Sequence, residues 1–394
     1  MSLQGQTGLW GGVGGGIISK SPSPPWPDYT WSTTTFTPSG AYGNLGPTQT
    51  QFNSQQSGKP FMTDYQVCVN GIQYVRLPTF GSYNFKLWGA YGGPGDPWQA
   101  TTPSSRGGIP RYLDIDVTIP TSSSGWIGII VGQKGGYSQG NPNSGGGGGG
   151  ASYIFTVNSN SANNTTFPSS IESSALTPLA VASGGNGANW ISWTVDSVNG
   201  RAPTTSTTDW IPTYAATITS PGYQNFGRGG MGASFDYTPY YWVAPGTTYW
   251  SGYSSDLKEV SAAPIKTSTG FIHPKSGAGG ICFNGSPMTD YSNSAVTSQC
   301  GAGGNGGFGG GAGAQFEGGG GGGYWGGATN KTNDYATAYD FGGQSYVAPG
   351  STTNQSDLAS NSPAGVAPDG ARSARITYPW PDSRLDGKII IAKN

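Results

Sequence analysis

The chain has 394 residues, of which 70 are glycine and only 9% are charged, with a formal net charge of −1. This balance leaves no cationic field for nucleic acid or an anionic lipid surface, and none of the high charge that holds chains unfolded. The 13 Trp, 22 Tyr and 14 Phe can still bury a sizeable core without many aliphatic residues.

Residues 1–30 lack periodicity. Leu9-Trp10-Gly11-Gly12-Val13 leads through Ile17-Ile18 into Ser21-Pro22-Ser23-Pro24-Pro25-Trp26-Pro27. This reads as an extended arm with a stiff Pro-rich spacer. Leu9, Trp10, Ile17 and Ile18 are costly to leave in water, so the arm is expected to dock, with these four residues as candidate anchors. Met1–Gln6 has no basic region followed by an apolar core, so a secretory signal is not expected. No window approaches about 18 uninterrupted apolar residues, so no transmembrane helix is expected.

From Tyr29 the pattern turns to strand. Tyr29–Thr37 is rich in β-branched and aromatic residues. Tyr83–Trp88 alternates and places Tyr83, Phe85 and Leu87 on one face. Tyr112–Ile119 alternates as well, with Asp114 and Asp116 on its polar face as solvated strand residues, not a catalytic pair. Gly125–Gly132 is a short apolar run suited to a strand buried on both sides. Gln344–Val347 and Ala374–Tyr378 predict returning strands, and Ile389–Ile391 a last edge strand. No window of 12 or more residues carries a helical stripe. The expectation is therefore an all-β fold in which residues 31–144 and 328–394 close one antiparallel sandwich.

Between those blocks lies a glycine-rich insertion, residues 145–327. It holds Gly145–Gly150, Gly184-Gly185-Asn186-Gly187, Cys300–Gly310 and Gly318–Gly323. Gly-rich chain is ordinarily a flexible linker. Here the runs are punctuated by Ala151–Phe155 and Pro178–Ala182, and they contain Phe308, Phe316, Tyr324 and Trp325. The reading preferred is a set of polyproline-II-like glycine helices, about 3 residues per turn, bonded side by side. A strict Gly-X-Y period is absent, which excludes collagen.

The chemistry of catalysis finds little support. The single histidine, His273, stands beside Pro274 with no triad around it. No His/Cys/carboxylate spacing fits a metal, and no Gly-rich motif opens a helix after a strand, so no metal, cofactor or enzymatic activity is expected. The three cysteines cannot all pair. Cys282 and Cys300 flank one loop and form the candidate disulfide; Cys68 reads as a small buried core residue. Tyr240, Tyr241, Trp242, Tyr249, Trp250 and Tyr253 are candidates for stacking on sugar rings, or for folding back onto the insertion.

An ordered series of blocks carries a family resemblance. Gly46–Gln51, Gly71-Ile72-Gln73, Tyr83–Ala90, Ile129–Gly135, Gly145–Phe155, Pro178–Gly185, Gly306–Gly310 and Gly320–Gly327 follow one another in the chain. This series resembles the extracellular glycine-rich region of the anaplastic lymphoma kinase and leukocyte tyrosine kinase receptors, over residues 29–378. The resemblance implies a jelly roll like that of tumour necrosis factor, interrupted by packed polyglycine-II helices. It also implies binding through surface loops without catalysis; jelly rolls of the tumour necrosis factor type often form trimers, which makes a homotrimer a candidate assembly without defining a threefold interface. Kinase motifs are absent here. In composition the insertion is also similar to the polyglycine bundles of some bacteriophage tail-tip adhesins. The expected role is a non-enzymatic virion structural protein, a phage tail fibre, spike or decoration involved in host attachment. Its arm would engage other virion proteins, and its surface a host protein or glycan, with no nucleic acid and no membrane insertion. The alternative is a secreted or cell-surface adhesion module.

Overall fold

The computed structural model describes residues 29–41, 45–62, 64–93, 107–119, 124–136, 145–157, 167, 176–188, 306–311, 319–324, 326, 343–353 and 386–394, with the backbone of four short strands between 266 and 341. These residues form an all-β fold of two antiparallel sheets with few helices. In chain order the strands are β1 (Thr34–Phe36), β2 (Gln66–Val69), β3 (Ile72–Arg76), β4 (Gly81–Trp88), β5 (Tyr112–Ile119), β6 (Trp126–Ile130), β7 (Ser152–Val157) and β8 (Leu176–Ala182). Two short hairpins follow, β9 (Lys266–Thr267) with β10 (Gly270–Phe271) and β11 (Ala328–Asn330) with β12 (Tyr339–Phe341). The last strands are β13 (Tyr346–Val347), β14 (Thr352–Thr353) and β15 (Lys388–Lys393). One sheet runs β1-β15-β4-β5-β14; the other runs β13-β8-β7-β6-β3-β2.

The two sheets differ because their sequences do. β4 and β5 alternate, so Tyr83, Phe85 and Leu87 on β4 and Leu113, Ile115 and Val117 on β5 point inward and are buried. Their other face is polar. Asn84 donates to Asp114 at 2.8 Å and to Asp116 at 3.0 Å, Lys86 pairs with Asp114 at 3.3 Å, and Trp88 stacks on Tyr112. One solvated face is ordinary for an antiparallel sheet. The Lys86 side chain is 41% exposed, so this pair adds at most about 1 kcal/mol. In contrast, β3, β6 and β7 are buried along their whole length. One face of their sheet meets the first sheet through Val75, Ile127, Ile129 and Ile154. The opposite face builds a second cluster from Tyr74, Trp126, Tyr153, Phe155 and Phe308. The Gly125–Gly132 run was expected to be buried on both sides, and β6 is.

Three expectations need correction. Ile389–Ile391 is not an edge: β15 lies between β1 and β4, and its alternation buries Ile389 and Ile391. Residue 145 is not a boundary between sandwich and insertion. β7 and β8 lie within 145–327, yet β7 pairs with β6 in the second sheet and β8 pairs with β7. Cys68 is only partly buried, packed against the core from β2. The predicted strand at Ala374–Tyr378 lies outside the described residues.

A short helix, α1 (Gln49–Gln55), escaped the sequence reading. Thr48 caps it: its hydroxyl accepts from the Gln51 amide, while the Gln51 side chain accepts from the Thr48 amide. The helix guards the edge of β2. Gln49 Oε1 accepts the Cys68 amide at 2.6 Å, and its Nε2 donates to Gln66 Oε1 at 2.7 Å. An edge strand with open amides invites foreign pairing. Gln49→Ala is expected to cost about 1 kcal/mol and to speed hydrogen exchange at the Cys68 amide; unchanged exchange there would show that Gln49 does not protect the edge.

The sandwich has a base and a top. At the base, the Tyr29 hydroxyl donates to the Arg76 carbonyl and the Asn394 amide to the Ser82 carbonyl at 3.1 Å. The glycine-rich segments all leave from the opposite end.

Candidate functional site

Five segments extend strands beyond the top of the sandwich. Residues 89–93 follow β4, 107–111 lead into β5, 132–136 follow β6, 145–151 lead into β7 and 183–188 follow β8. Residues 306–311 and 319–324 join them. The segments are held by backbone bonds that repeat every third residue. Gly146 and Gly149 both donate to 183–188, at the Ala188 and Gly185 carbonyls; Gly147 and Gly150 both donate to 132–136, at Gly136 and Gln133. The same residues accept from other neighbours: Gly147 and Gly150 from Gly93 and Ala90, Gly146 and Gly149 from Gly319 and Gly322. Gly148 accepts from Gly307.

The central run therefore has neighbouring chains on several sides, which leaves no room for a side chain at Gly148, Gly149 or Gly150. A Cβ on Gly150 would lie 1.7 Å from the Phe308 carbonyl oxygen, one on Gly149 2.1 Å from that of Ala90, and one on Gly148 2.0 Å from that of Gly320. The Cα hydrogens instead face those oxygens, a weak supporting contact. Peripheral segments keep side chains on the same period. Ser183 and Asn186 are three apart; Ser183 Oγ lies 3.0 Å from Ser345 Oγ, and Asn186 Oδ1 accepts the Gly321 amide at 2.8 Å.

Three further contacts seat the bundle on the sandwich. Phe308 is buried, its ring against Gly46 and Gly71, while its carbonyl accepts the Gln133 amide at 2.8 Å. Gly71 sits in the Asn70-Gly71 turn between β2 and β3, where both residues have positive φ, 55° and 80°, as a type I′ hairpin requires. The buried Tyr153 hydroxyl reaches the carbonyls of Gly309 at 3.2 Å and Gly323 at 3.1 Å. Asp386, just before β15, accepts the Lys134 amide at 2.9 Å.

At the far end of the bundle the segments meet again. Gly93 donates to Gly147, Ala188 to Gly93, Gly147 to Gly136 and Gly187 to Gly319. Residues 93, 136, 146, 188 and 319 thus gather at one tip, and the chain passes from there into 94–106, 137–144 and 189–305. The candidate anchors Leu9, Trp10, Ile17 and Ile18 lie outside the described residues. So do Tyr240, Tyr241, Trp242, Tyr249, Trp250 and Tyr253, and so do Cys282, Cys300 and His273. Among the described residues no group of three His, Cys, Asp or Glu could hold a metal, and no helix is long and apolar enough to cross a membrane.

Burial lifts the ionisations of the core. The Cys68 thiol is pushed up to about 12, and the Tyr29, Tyr74 and Tyr153 phenols well above their usual range, in each case chiefly by desolvation. These groups stay neutral in the fold while the unfolded chain ionises, so the unfolded state binds fewer protons and stability falls as pH rises. Stability is expected to hold below the ordinary thiol value of 9.0 and to decline from there towards about 12. Denaturant midpoints across that range check this; a midpoint that rose with pH would contradict it. No protein-family model matches the chain, and a search of curated proteins finds no match either.

Proposed function

We propose that this chain is a non-enzymatic attachment protein of a virus particle, such as a phage tail fibre, spike or decoration. In this reading the sandwich is a jelly roll like that of tumour necrosis factor, and the glycine segments form a polyglycine-II bundle, as in the receptor glycine-rich region that the sequence resembles. The three-residue repeat of lateral bonds supports the second assignment, since polyproline-II geometry turns once in about 3 residues. Two antiparallel sheets enclosing one core support the first.

The observation that carries the functional reading is polarity. Tyr29, where the arm joins, sits at the base, and the glycine tip lies at the opposite pole. An arm anchored through Leu9, Trp10, Ile17 and Ile18 would hold the base on the particle. The tip would then face the host and display 189–305 with its aromatic residues, from Tyr240 to Tyr253, to a surface protein or glycan.

Deletion of residues 1–28 tests this, because it stops short of Tyr29. The truncated protein is expected to fold but to be lost from purified particles, while gold-labelled antibody marks the intact protein at one fixed point on each virion. Incorporation that survives the deletion would overturn the anchoring role. Label on cell envelopes with clean particles would replace the reading with a secreted or cell-surface adhesion module.

A further inference from the structure

We propose that the glycine bundle is a mechanical element, built to carry tension between the base of the sandwich and the tip. The proposal takes its axis from the attachment reading above, in which one pole is held and the other pulled.

The argument rests on how the bonds lie relative to that axis. Segment 183–188 continues β8 directly to the tip. Along it Gly184 donates to Gly322, Gly185 to Ala90, Gly187 to Gly319 and Ala188 to Gly93. It accepts from Arg111, Gly149, Gly108 and Gly146 at Ser183, Gly185, Asn186 and Ala188. Every bond runs sideways to a neighbouring segment, so a pull on residue 189 along the axis stretches them all at once. Below the bundle the same chain enters β8, whose ladder with β7 is again perpendicular to the strand. At the base, Asn394 follows β15, which is bonded to β4 on one side and β1 on the other. A load from tip to base therefore meets shear at both ends.

The opposite geometry exists in the same bundle. Segments 145–151 and 183–188 are antiparallel, and residues 146 and 188 are bonded together at the tip. Pulling these two ends apart loads the Gly146–Ala188 contact first and the Gly149–Gly185 contact only after it has broken. Both pulls act on segment 183–188 and its lateral bonds, and they differ in the direction in which those bonds are loaded.

Single-molecule force spectroscopy on the full wild-type chain separates them. One tether uses handles inserted after residue 189 and at the C-terminus, the other handles inserted after residues 143 and 189. The first is expected to break at a severalfold higher force than the second. A tip-to-base force equal to or below the tip-to-tip force would overturn the proposal. Both pulls are made on the chain by itself, so their outcome is independent of whether the arm enters a particle.

Discussion

Alanine in place of Gly150 is expected to lower stability by several kcal/mol or to abolish folding. A methyl group in a packed core usually costs about 1–3 kcal/mol, because side chains can shift to receive it. Gly150 has no such relief. Its Cβ would meet a main-chain oxygen, that of Phe308, on a segment itself bonded through Gln133, while the Gly150 carbonyl must keep the Ala90 amide. Relaxation would have to part three backbones at once and forfeit bonds worth about 1 kcal/mol each. Against a total stability of roughly 5–15 kcal/mol this is decisive. Gly58→Ala is the control. Gly58 has a φ of +80° but nothing within 4 Å of a built Cβ, so only left-handed strain applies, about 1–2 kcal/mol. Denaturant unfolding of both variants decides the matter; equal losses would mean that the close packing around Gly150 is not what demands glycine there.

The second large effect is expected at Phe308. Its ring is buried in the outer cluster with Ile72, Tyr74 and Tyr153, and fits between Gly46 and Gly71, which leave room only because neither has a side chain. Phe308→Ala is expected to cost about 3–5 kcal/mol. The loss should also be local, since Phe308 closes the return of the chain after residue 305. Hydrogen exchange at the Gln133 amide, which donates to the Phe308 carbonyl, should accelerate more than at the β6–β7 ladder. Uniform acceleration, or a loss below about 1 kcal/mol, would mean that Phe308 merely fills space.

The strands with clean alternation were legible: Tyr83, Phe85 and Leu87 declare the buried face of β4, and the apolar run around Ile127 and Ile129 declares β6. The place of β15 was not legible, because Ile389-Ile390-Ile391 reads alike at an edge and in the interior. Pairing with Thr34–Phe36, more than 350 residues earlier, decides it. α1 was missed because its single buried residue, Phe52, leaves no stripe; Thr48 and Gln51 were its only signal. The candidate site was half legible. Gly145–Gly150 drew attention to the bundle, but its neighbours 89–93, 107–111 and 132–136 lay outside the glycine-rich insertion as read from the sequence. Their signal was glycine recurring at intervals of three directly beside a strand, as at Gly89 and Gly92 or Gly132 and Gly135. The aromatic candidates from Tyr240 to Tyr253 fall in the long passage that leaves from the tip.

That passage leaves from main chain. At residues 93, 136, 146, 188 and 319 the tip is joined by amides and carbonyls, which every amino acid supplies alike. A side-chain core constrains whatever is grafted onto it, because new residues must suit the old packing. Here the junction chemistry at residues 93, 136, 146, 188 and 319 does not depend on which side chains follow it. The fold thus separates positions where close packing demands glycine, as at Gly148, Gly149 and Gly150, from a rim whose bonds place no demand on the side chains that follow.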